Sequence, residues 1–348
     1  MDTSAFAATL DGIFAGSPAD GVHADPRFTA ITAELAAAGA RTPFEDEDGV
    51  PAESEHDGRG HQRHALRSRP VDAAAFAAEL DGLFDGPLTD GTPADPRFGE
   101  VAAAVPGFST PAELAVLNLA TRRLPAGEAY LEVGTFKGRS LAGALLDAPD
   151  RPYVAVENFQ EFGMLAAESR AELRSVLDTA SRPVTLHDGD CFAVLARREA
   201  LPAPVGVYFY DGAHTGLAHY LALGVVEPLL ADEAVVLVDD ASWPMVAAAT
   251  RRYTDRHPGW TVLRDIRAAS DHDERWANGL LVLRYRRPPG AARMMAGDVR
   301  WRRLVQVHAR GPATSLVWRA LHRFPGLVPL AKRVVPKSSR TVPADPVG

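Results

Sequence analysis

The fold of this chain is indicated most clearly by the stretch Tyr130-Leu-Glu-Val-Gly-Thr-Phe-Lys-Gly-Arg-Ser140. Its apolar start predicts a buried strand, and Glu132 places a carboxylate near the carboxyl end of that strand. Gly134 and Gly138 favour a tight turn in which the backbone comes close to another group. A strand, a glycine turn and a helix start are typical of open α/β sheets, where ligands bind beyond the carboxyl ends of the strands. The stretch therefore predicts a site for a nucleotide-like ligand.

Seven segments have the apolar and β-branched composition of strands: 129–133, 153–157, 184–187, 205–210, 234–238, 261–266 and 279–285. A helical pattern follows each of the first five, which predicts a doubly wound, mostly parallel α/β sheet with helices on both faces. No full helix separates the last two, so we expect an antiparallel hairpin at one edge. A Rossmann-like sheet of seven strands with this ending resembles the class I S-adenosylmethionine (SAM)-dependent methyltransferase fold.

A duplicated segment precedes the predicted sheet. Ala5–Phe14 has nearly the same sequence as Ala75–Phe84. We interpret residues 1–40 as a duplicated helical segment and 73–109 as its second copy. Residues 41–72 are polar, acidic and rich in histidine and arginine, which predicts a disordered linker because such a stretch has little apolar surface to bury.

A capping box marks the start of the main domain. In Thr110-Pro-Ala-Glu113, a threonine cap and a glutamate three residues later flank a proline at the first helical position. We place the main domain at 110–287. Residues 288–348 predict a basic helical tail, which is compatible with peripheral contact with an anionic membrane or a partner protein. The helical extension before the domain is compatible with a homo-oligomer.

Composition limits the kinds of protein that this chain can be. The net charge is −8, and Cys191 is the single cysteine among 348 residues, which excludes an internal disulfide and a cysteine zinc cluster. The apolar runs are strand-sized, so we expect no transmembrane segment. The start of the chain lacks the pattern of a signal peptide, and we expect a cytoplasmic protein with no nucleic-acid partner.

Acidic residues end the second and third predicted strands. In a SAM site, Glu157 would accept hydrogen bonds from both ribose hydroxyls, and Asp190, followed by Cys191, would lie beside the adenine. The glycine turn and Glu132 would face the amino-acid end of the cofactor. We assign cofactor binding to Glu132, Gly134, Gly138, Glu157, Asp190 and Cys191.

A dinucleotide site shares part of this pattern. NAD-dependent oxidoreductases also have a glycine turn followed about 20 residues later by an acid that binds ribose. The full glycine fingerprint is absent here, because Phe136 stands where its second glycine would be. An NAD-dependent oxidoreductase is therefore kept as an alternative.

A second acidic set follows the fourth and fifth predicted strands. Asp211 follows the fourth predicted strand, and Asp239 and Asp240 follow the fifth. Carboxylates that converge repel one another unless a proton or cation intervenes, and Mg²⁺ takes oxygen ligands, so we assign a magnesium site to these three aspartates. The same aspartates also fit a metal-free site in which they contact the cofactor or the acceptor. His214 titrates near neutrality and would act with Asp211 on the proton of an acceptor.

Three sequence runs together resemble one family. The runs are Leu131-Glu-Val-Gly-Thr-Phe-Lys-Gly138, Val207-Tyr-Phe-Tyr-Asp-Gly-Ala-His-Thr215 and Val236-Leu-Val-Asp-Asp240. They are similar to the methyltransferases grouped with macrocin O-methyltransferase-like and cephalosporin-hydroxylase-like proteins. The resemblance implies a SAM-dependent O-methyltransferase that acts on a small hydroxylated acceptor, a sugar or a natural product, with Mg²⁺ in some members. His214 stands where catechol-type enzymes carry a lysine base.

A function without catalysis is the remaining alternative. The basic tail would let a SAM-fold binding module dock on a membrane or a partner protein. The duplicated N-terminus and the tail lie outside the family resemblance, so their roles stay open.

Overall fold

The computed structural model describes residues 72–159, 166–270 and 272–311. The chain divides into two units, Met1–Leu66 and Arg67–Gly348, and all described residues belong to the second. The first repeat copy, nearly all of the expected linker and the tail beyond residue 311 lie outside the described residues. No helix in the described part is both long enough and apolar enough to cross a membrane.

The described residues contain one sheet of seven strands: β1 Ala129–Val133, β2 Tyr153–Glu157, β3 Val184–Asp188, β4 Val205–Tyr210, β5 Leu230–Val238, β6 Trp260–Ile266 and β7 Leu280–Arg286. Their order is β3-β2-β1-β4-β5-β7-β6. Strands β1 to β5 pair in parallel, and β7 runs antiparallel to both of its neighbours, β5 and β6. The predicted mostly parallel sheet with an antiparallel edge pair is confirmed.

Nine α-helices lie in the described ranges: α1 Ala73–Leu80, α2 Arg97–Ala104, α3 Pro111–Arg122, α4 Arg139–Ala144, α5 Ala166–Thr179, α6 Cys191–Val194, α7 Gly216–Val226, α8 Pro244–Thr254 and α9 Gly297–Val305. One core cluster contains residues of α1, α3, α4 and α5, and a second contains residues of α6 to α9. The helices thus cover both faces of the sheet, as predicted.

The central strands are buried on both faces. In β4, Val207 and Phe209 belong to one core cluster, whereas Tyr208 and Tyr210 belong to the other. All six residues of β4 are buried. Continuous apolar strands are expected where helices cover both sides of a parallel sheet.

Proline explains the main difference in element bounds. The sequence pattern predicts a helix from 217 to 230, but α7 ends at Val226 and a 3₁₀ turn, Glu227–Leu229, follows. Pro228 lacks the N–H that a continuing helix requires. Strand β5 consequently begins at Leu230, four residues earlier than the expected 234.

The second repeat copy packs on the main domain. The Asp72 carboxylate caps α1 by accepting a hydrogen bond from Ala75 N at 2.9 Å, and Phe76 is fully buried. The indole of Trp276 donates to Leu88 O at 2.9 Å and lies 5.5 Å from the Phe84 ring. These contacts join the segment before α3 to the loop before β7.

Candidate active site

The parallel strands bring the predicted site residues to one edge of the sheet. Backbone bonds continue just beyond the strands, from Asp211 N to Val133 O at 2.9 Å and from Asp239 N to Tyr210 O at 3.0 Å. The carboxyl ends of β1, β4 and β5 therefore lie side by side. This is the edge at which open α/β sheets bind ligands.

The two glycines of the first turn are required by packing inside the protein. Gly134 has φ of +89°, and a Cβ there would lie 1.9 Å from Asp211 O. Gly138 has φ of +93°, and a Cβ there would lie 3.0 Å from the Leu173 side chain on α5. Both residues adopt left-handed backbone that favours glycine. The sequence analysis assigned them to close approach by a cofactor, and the protein groups next to them lie just beyond β4 and on α5.

Glu132 lies beneath this turn. Its side chain is fully buried, with one carboxylate oxygen accepting from Tyr130 Oη at 2.6 Å and the other from Ser140 Oγ at 2.9 Å. Burial raises the pKa of Glu132 above its usual value. The contacts connect the strand to the start of α4 and hold the turn between them.

Glu157 fixes two turns at the end of β2. Its carboxylate oxygens accept hydrogen bonds from Phe136 N and Phe159 N, each at 2.7 Å. Both phenylalanines have positive φ, 49° and 53°, a conformation that is uncommon for residues with side chains. The half-buried carboxylate thus lies at the mouth of the glycine turn.

Asp190 and Cys191 lie next to Glu157. Gly189 N donates to Glu157 O at 3.0 Å, and the Asp190 carboxylate caps α6 by accepting from Phe192 N at 2.8 Å. Burial raises the pKa of the Cys191 thiol well above its usual value, so the thiol stays protonated at neutral pH.

A histidine and two aspartates meet at the ends of β4 and β5. His214 Nε2 lies 2.8 Å from Asp240 Oδ2 and 3.6 Å from Asp211 Oδ1. Asn278 Nδ2 donates to the other oxygen of Asp240 at 2.7 Å. Burial raises the pKa of Asp240, but the hydrogen bonds from His214 and Asn278 outweigh burial and hold it below its usual value.

The set of potential metal ligands differs from the predicted one. Ligand atoms of Asp211, His214 and Asp240 all lie within 4.8 Å of one another. Asp239, which the sequence analysis placed among the magnesium ligands, is absent from this set and instead accepts from Asp240 N at 2.8 Å. Burial, with repulsion from Asp211, raises the pKa of Asp239 well above its usual value.

Glu113 is a fourth acidic group near this set, and sequence reasoning missed it. Its motif predicts the capping box on α3, and that is confirmed, because Thr110 N donates to Glu113 Oε2 at 2.8 Å. The other oxygen, Oε1, is buried without a hydrogen-bond partner in the described part of the chain. Burial, then repulsion by Asp211 and Asp240, raises the pKa of Glu113 to about 8. No sequence signal shows that this cap lies beside the acidic strand ends.

Two further rings surround His214. The Trp243 ring lies 5.1 Å from the His214 ring at an interplanar angle of 72°. His219 is buried, packs edge-on against Tyr210 at 5.1 Å, and has a pKa lowered to about 3 by burial. His219 is therefore neutral at physiological pH, and its position on α7 gave no sequence signal of this environment.

Comparison with known proteins finds one family model that matches the part of the chain around the site. Residues 131–241 match the family described as a methyltransferase domain. Comparison with curated proteins finds no match.

Several solved structures are similar to this chain. The O-methyltransferase from Bacillus cereus in complex with SAH is 16% identical, with 61% of this chain and 97% of that chain covered and a TM-score of 0.40. TomG from Streptomyces achromogenes, an O-methyltransferase involved in tomaymycin synthesis and in complex with SAM, is 19% identical, with 64% and 93% covered and a TM-score of 0.37. SAH-bound methyltransferase PaMTH1 from Podospora anserina is 14% identical, with 62% and 95% covered and a TM-score of 0.41.

At these identities and TM-scores the structural similarity carries no argument about function, so the assignment rests on the family match and on the sheet itself. The sheet is mostly parallel and ends in an antiparallel pair, as the sequence predicts, and the structure adds the strand order β3-β2-β1-β4-β5-β7-β6. Residues 131–241 therefore match a methyltransferase domain, and they lie on a Rossmann-like sheet of seven strands.

Proposed function

We propose that this domain transfers a methyl group from SAM to a hydroxyl of a small acceptor, with His214 as the general base. The observation that carries the proposal is the 2.8 Å contact between His214 Nε2 and Asp240 Oδ2 at the carboxyl ends of β4 and β5. A base held by a carboxylate at the ligand-binding edge of the sheet is the arrangement that deprotonation of a hydroxyl requires.

The residues at β2 and β3 fit the nucleoside part of SAM. Glu157 and Asp190 carry only acceptor oxygens when ionised, and the ribose diol and adenine amino group are donors. The oxygens of Glu157 accept hydrogen bonds from the backbone N–H groups of Phe136 and Phe159, so the carboxylate is held at the end of β2. When bound, SAM supplies an electrophilic methyl group on its sulfonium.

The tautomer of His214 follows from its partner. A carboxylate accepts only, so Nε2 carries the proton that faces Asp240, and Nδ1 carries the lone pair that takes the proton of the acceptor hydroxyl. Asp240 then stabilises the imidazolium that forms, and Asn278 holds Asp240 in place. Transfer is direct and in line, so positioning of the reactants contributes most to the rate.

A metal-assisted version is the second candidate, favoured by the approach of Asp211, His214 and Asp240 ligand atoms to within 4.8 Å. A divalent cation held by these residues would lower the pKa of the acceptor hydroxyl. His214 would then be a ligand, and the base would be a different group. Activity that survives exhaustive chelation, in protein free of divalent metal by mass spectrometry, rules out this version.

Isothermal titration calorimetry tests the donor assignment. We expect SAM and S-adenosylhomocysteine to bind and NADH to give no heat. The reverse result would support the dinucleotide oxidoreductase that the glycine turn alone left open. Binding of SAM without methyl transfer to any of a panel of phenols, sugars and hydroxylated natural products would favour a non-catalytic binding module.

A further inference from the structure

The outer face of α9 exposes large apolar side chains. The described residues have five exposed large apolar side chains, and three of them lie on α9 or just before it: Met294 (73% exposed), Trp301 (57%) and Leu304 (45%). Trp301 and Leu304 are three residues apart on the helix and so share one face. A concentration of this kind marks an interaction surface, whereas single exposed apolar residues do not.

The inner face of α9 is fixed to the domain. Val299 is fully buried, and it packs so closely on α7 that a Cβ at Gly224 would lie 2.6 Å from it. Tyr220 Oη donates to Asp298 at 2.6 Å, and Arg303 Nε donates to Phe192 O at 2.7 Å. Because these contacts anchor the helix, Trp301 and Leu304 are not needed to hold it in place.

A cavity of about 300 Å³ lies against α9, and Met294 is one of its lining residues. Its floor is apolar, with Leu195, Val225 and Leu229, and Arg300 and Arg303 lie at its wall. Residues 293–311 contain five arginines and one aspartate, in a chain whose net charge is −8. The patch therefore combines concentrated positive charge with exposed apolar surface.

Charge decides among the candidate occupants. The C-terminal residues 312–348 contain six lysines and arginines and one aspartate, so they repel this patch. A symmetric contact with a second copy would place arginines opposite arginines. Nucleic acid would match the charge but needs no exposed tryptophan and leucine. An anionic lipid surface matches both the charge and the apolar side chains.

We propose that the outer face of α9 docks the domain on an anionic phospholipid bilayer. Trp301 and Leu304 enter the interfacial region, Arg300 binds lipid phosphate, and the cavity receives a headgroup. Tryptophan is suited to this boundary because its ring is apolar and its N–H is a donor. This inference is independent of the proposed methyl acceptor.

Co-sedimentation of the full-length protein with vesicles tests the proposal. We expect binding to phosphatidylcholine vesicles that contain about one third phosphatidylglycerol, and none to pure phosphatidylcholine. Arg300→Ala should weaken partitioning about fivefold, and the Trp301→Ala/Leu304→Ala double variant by at least roughly tenfold. The matched controls are Arg251→Ala, at an exposed arginine on α8, and Val262→Ala, at an exposed valine on β6. Both should bind as the wild type does.

Tryptophan quenching locates the contact on the protein. Brominated anionic lipids should quench part of the fluorescence, and Trp301→Phe, which keeps an apolar ring but loses the N–H donor, should bind less tightly than the wild type and lose that part of the quenching. The proposal would be overturned by unchanged vesicle binding in the α9 variants or by quenching that survives Trp301→Phe. It would also be overturned by binding to duplex DNA that competes with vesicles, or by a dimer that dissociates in the double variant.

Discussion

His214 combines two features of a general base that is held in place. Its Nε2 faces a buried carboxylate, and that carboxylate is itself held by Asn278, so the imidazole has one favoured orientation. We expect His214→Gln to lower kcat by roughly a hundredfold or more, because positioned proton transfer contributes about that much. The dissociation constant for S-adenosylhomocysteine should stay within about twofold. Single-turnover kinetics with calorimetry separates the two quantities, and a loss of cofactor binding equal to the loss of rate would contradict the assignment.

Glu157 provides a second test at the scale of one residue. Glu157→Gln keeps the size of the side chain but removes the charge and one acceptor. We expect binding of S-adenosylhomocysteine to weaken roughly tenfold or more, as for loss of a hydrogen bond to a charged group. Asp188→Asn is the matched control, since Asp188 pairs in register with Glu157 and is an exposed carboxylate. Equal effects of the two substitutions would show that Glu157 does not contact the ribose.

At the scale of elements, the turn between β1 and α4 is the most constrained. Gly134→Ala would place a methyl group 1.9 Å from Asp211 O on backbone with φ of +89°. We expect it to destabilise the fold by about 3 kcal/mol or more, since both overpacking and backbone strain contribute. Gly290→Ala separates these causes, because Gly290 has φ of +75° and no atom within 4 Å of its would-be Cβ. That control should cost only about 1 kcal/mol in urea unfolding, and similar costs for both variants would refute the packing argument.

The start of α3 brings an acid against the strand ends. The pKa of Glu113 is raised to about 8, and the facing groups are Asp211, Asp239 and Asp240. A carboxyl whose pKa is raised on folding favours the folded state fully below its unfolded pKa of about 4.3, and this contribution is lost as pH rises toward 8. From pH 5 to 8, the wild type should therefore lose up to a few kcal/mol of unfolding free energy relative to Glu113→Gln. Parallel pH profiles for the two proteins in urea unfolding would contradict the raised pKa.

For the whole molecule, local patterns predicted the sheet because each strand has its own signature. Continuous apolar runs bounded by glycine or acidic residues predicted β1, β2 and β4 with the bounds that the structure has. Only β5 departed strongly, because Pro228 ends α7 early and lets the strand start at Leu230.

The candidate site was less predictable, since side-chain contacts depend on distant parts of the chain. Strand-end position alone could not show that His214, and not Asp239, joins Asp211 and Asp240 in the set of ligand atoms within 4.8 Å of one another. The sequence pattern around Glu113 predicts only a helix cap. The packing of α3 over the sheet edge is what places Glu113 near the aspartates. Asn278 lies just before β7, and its bond to Asp240 follows from the antiparallel insertion of that strand beside β5.

The most direct test of the central claim is a crystal structure of the protein with S-adenosylhomocysteine. We expect the ribose on Glu157, the adenine beside Asp190, and the sulfur directed toward the space next to His214 and Asp211. Ligand density at any other edge of the sheet, or a sulfur turned away from His214, would contradict it.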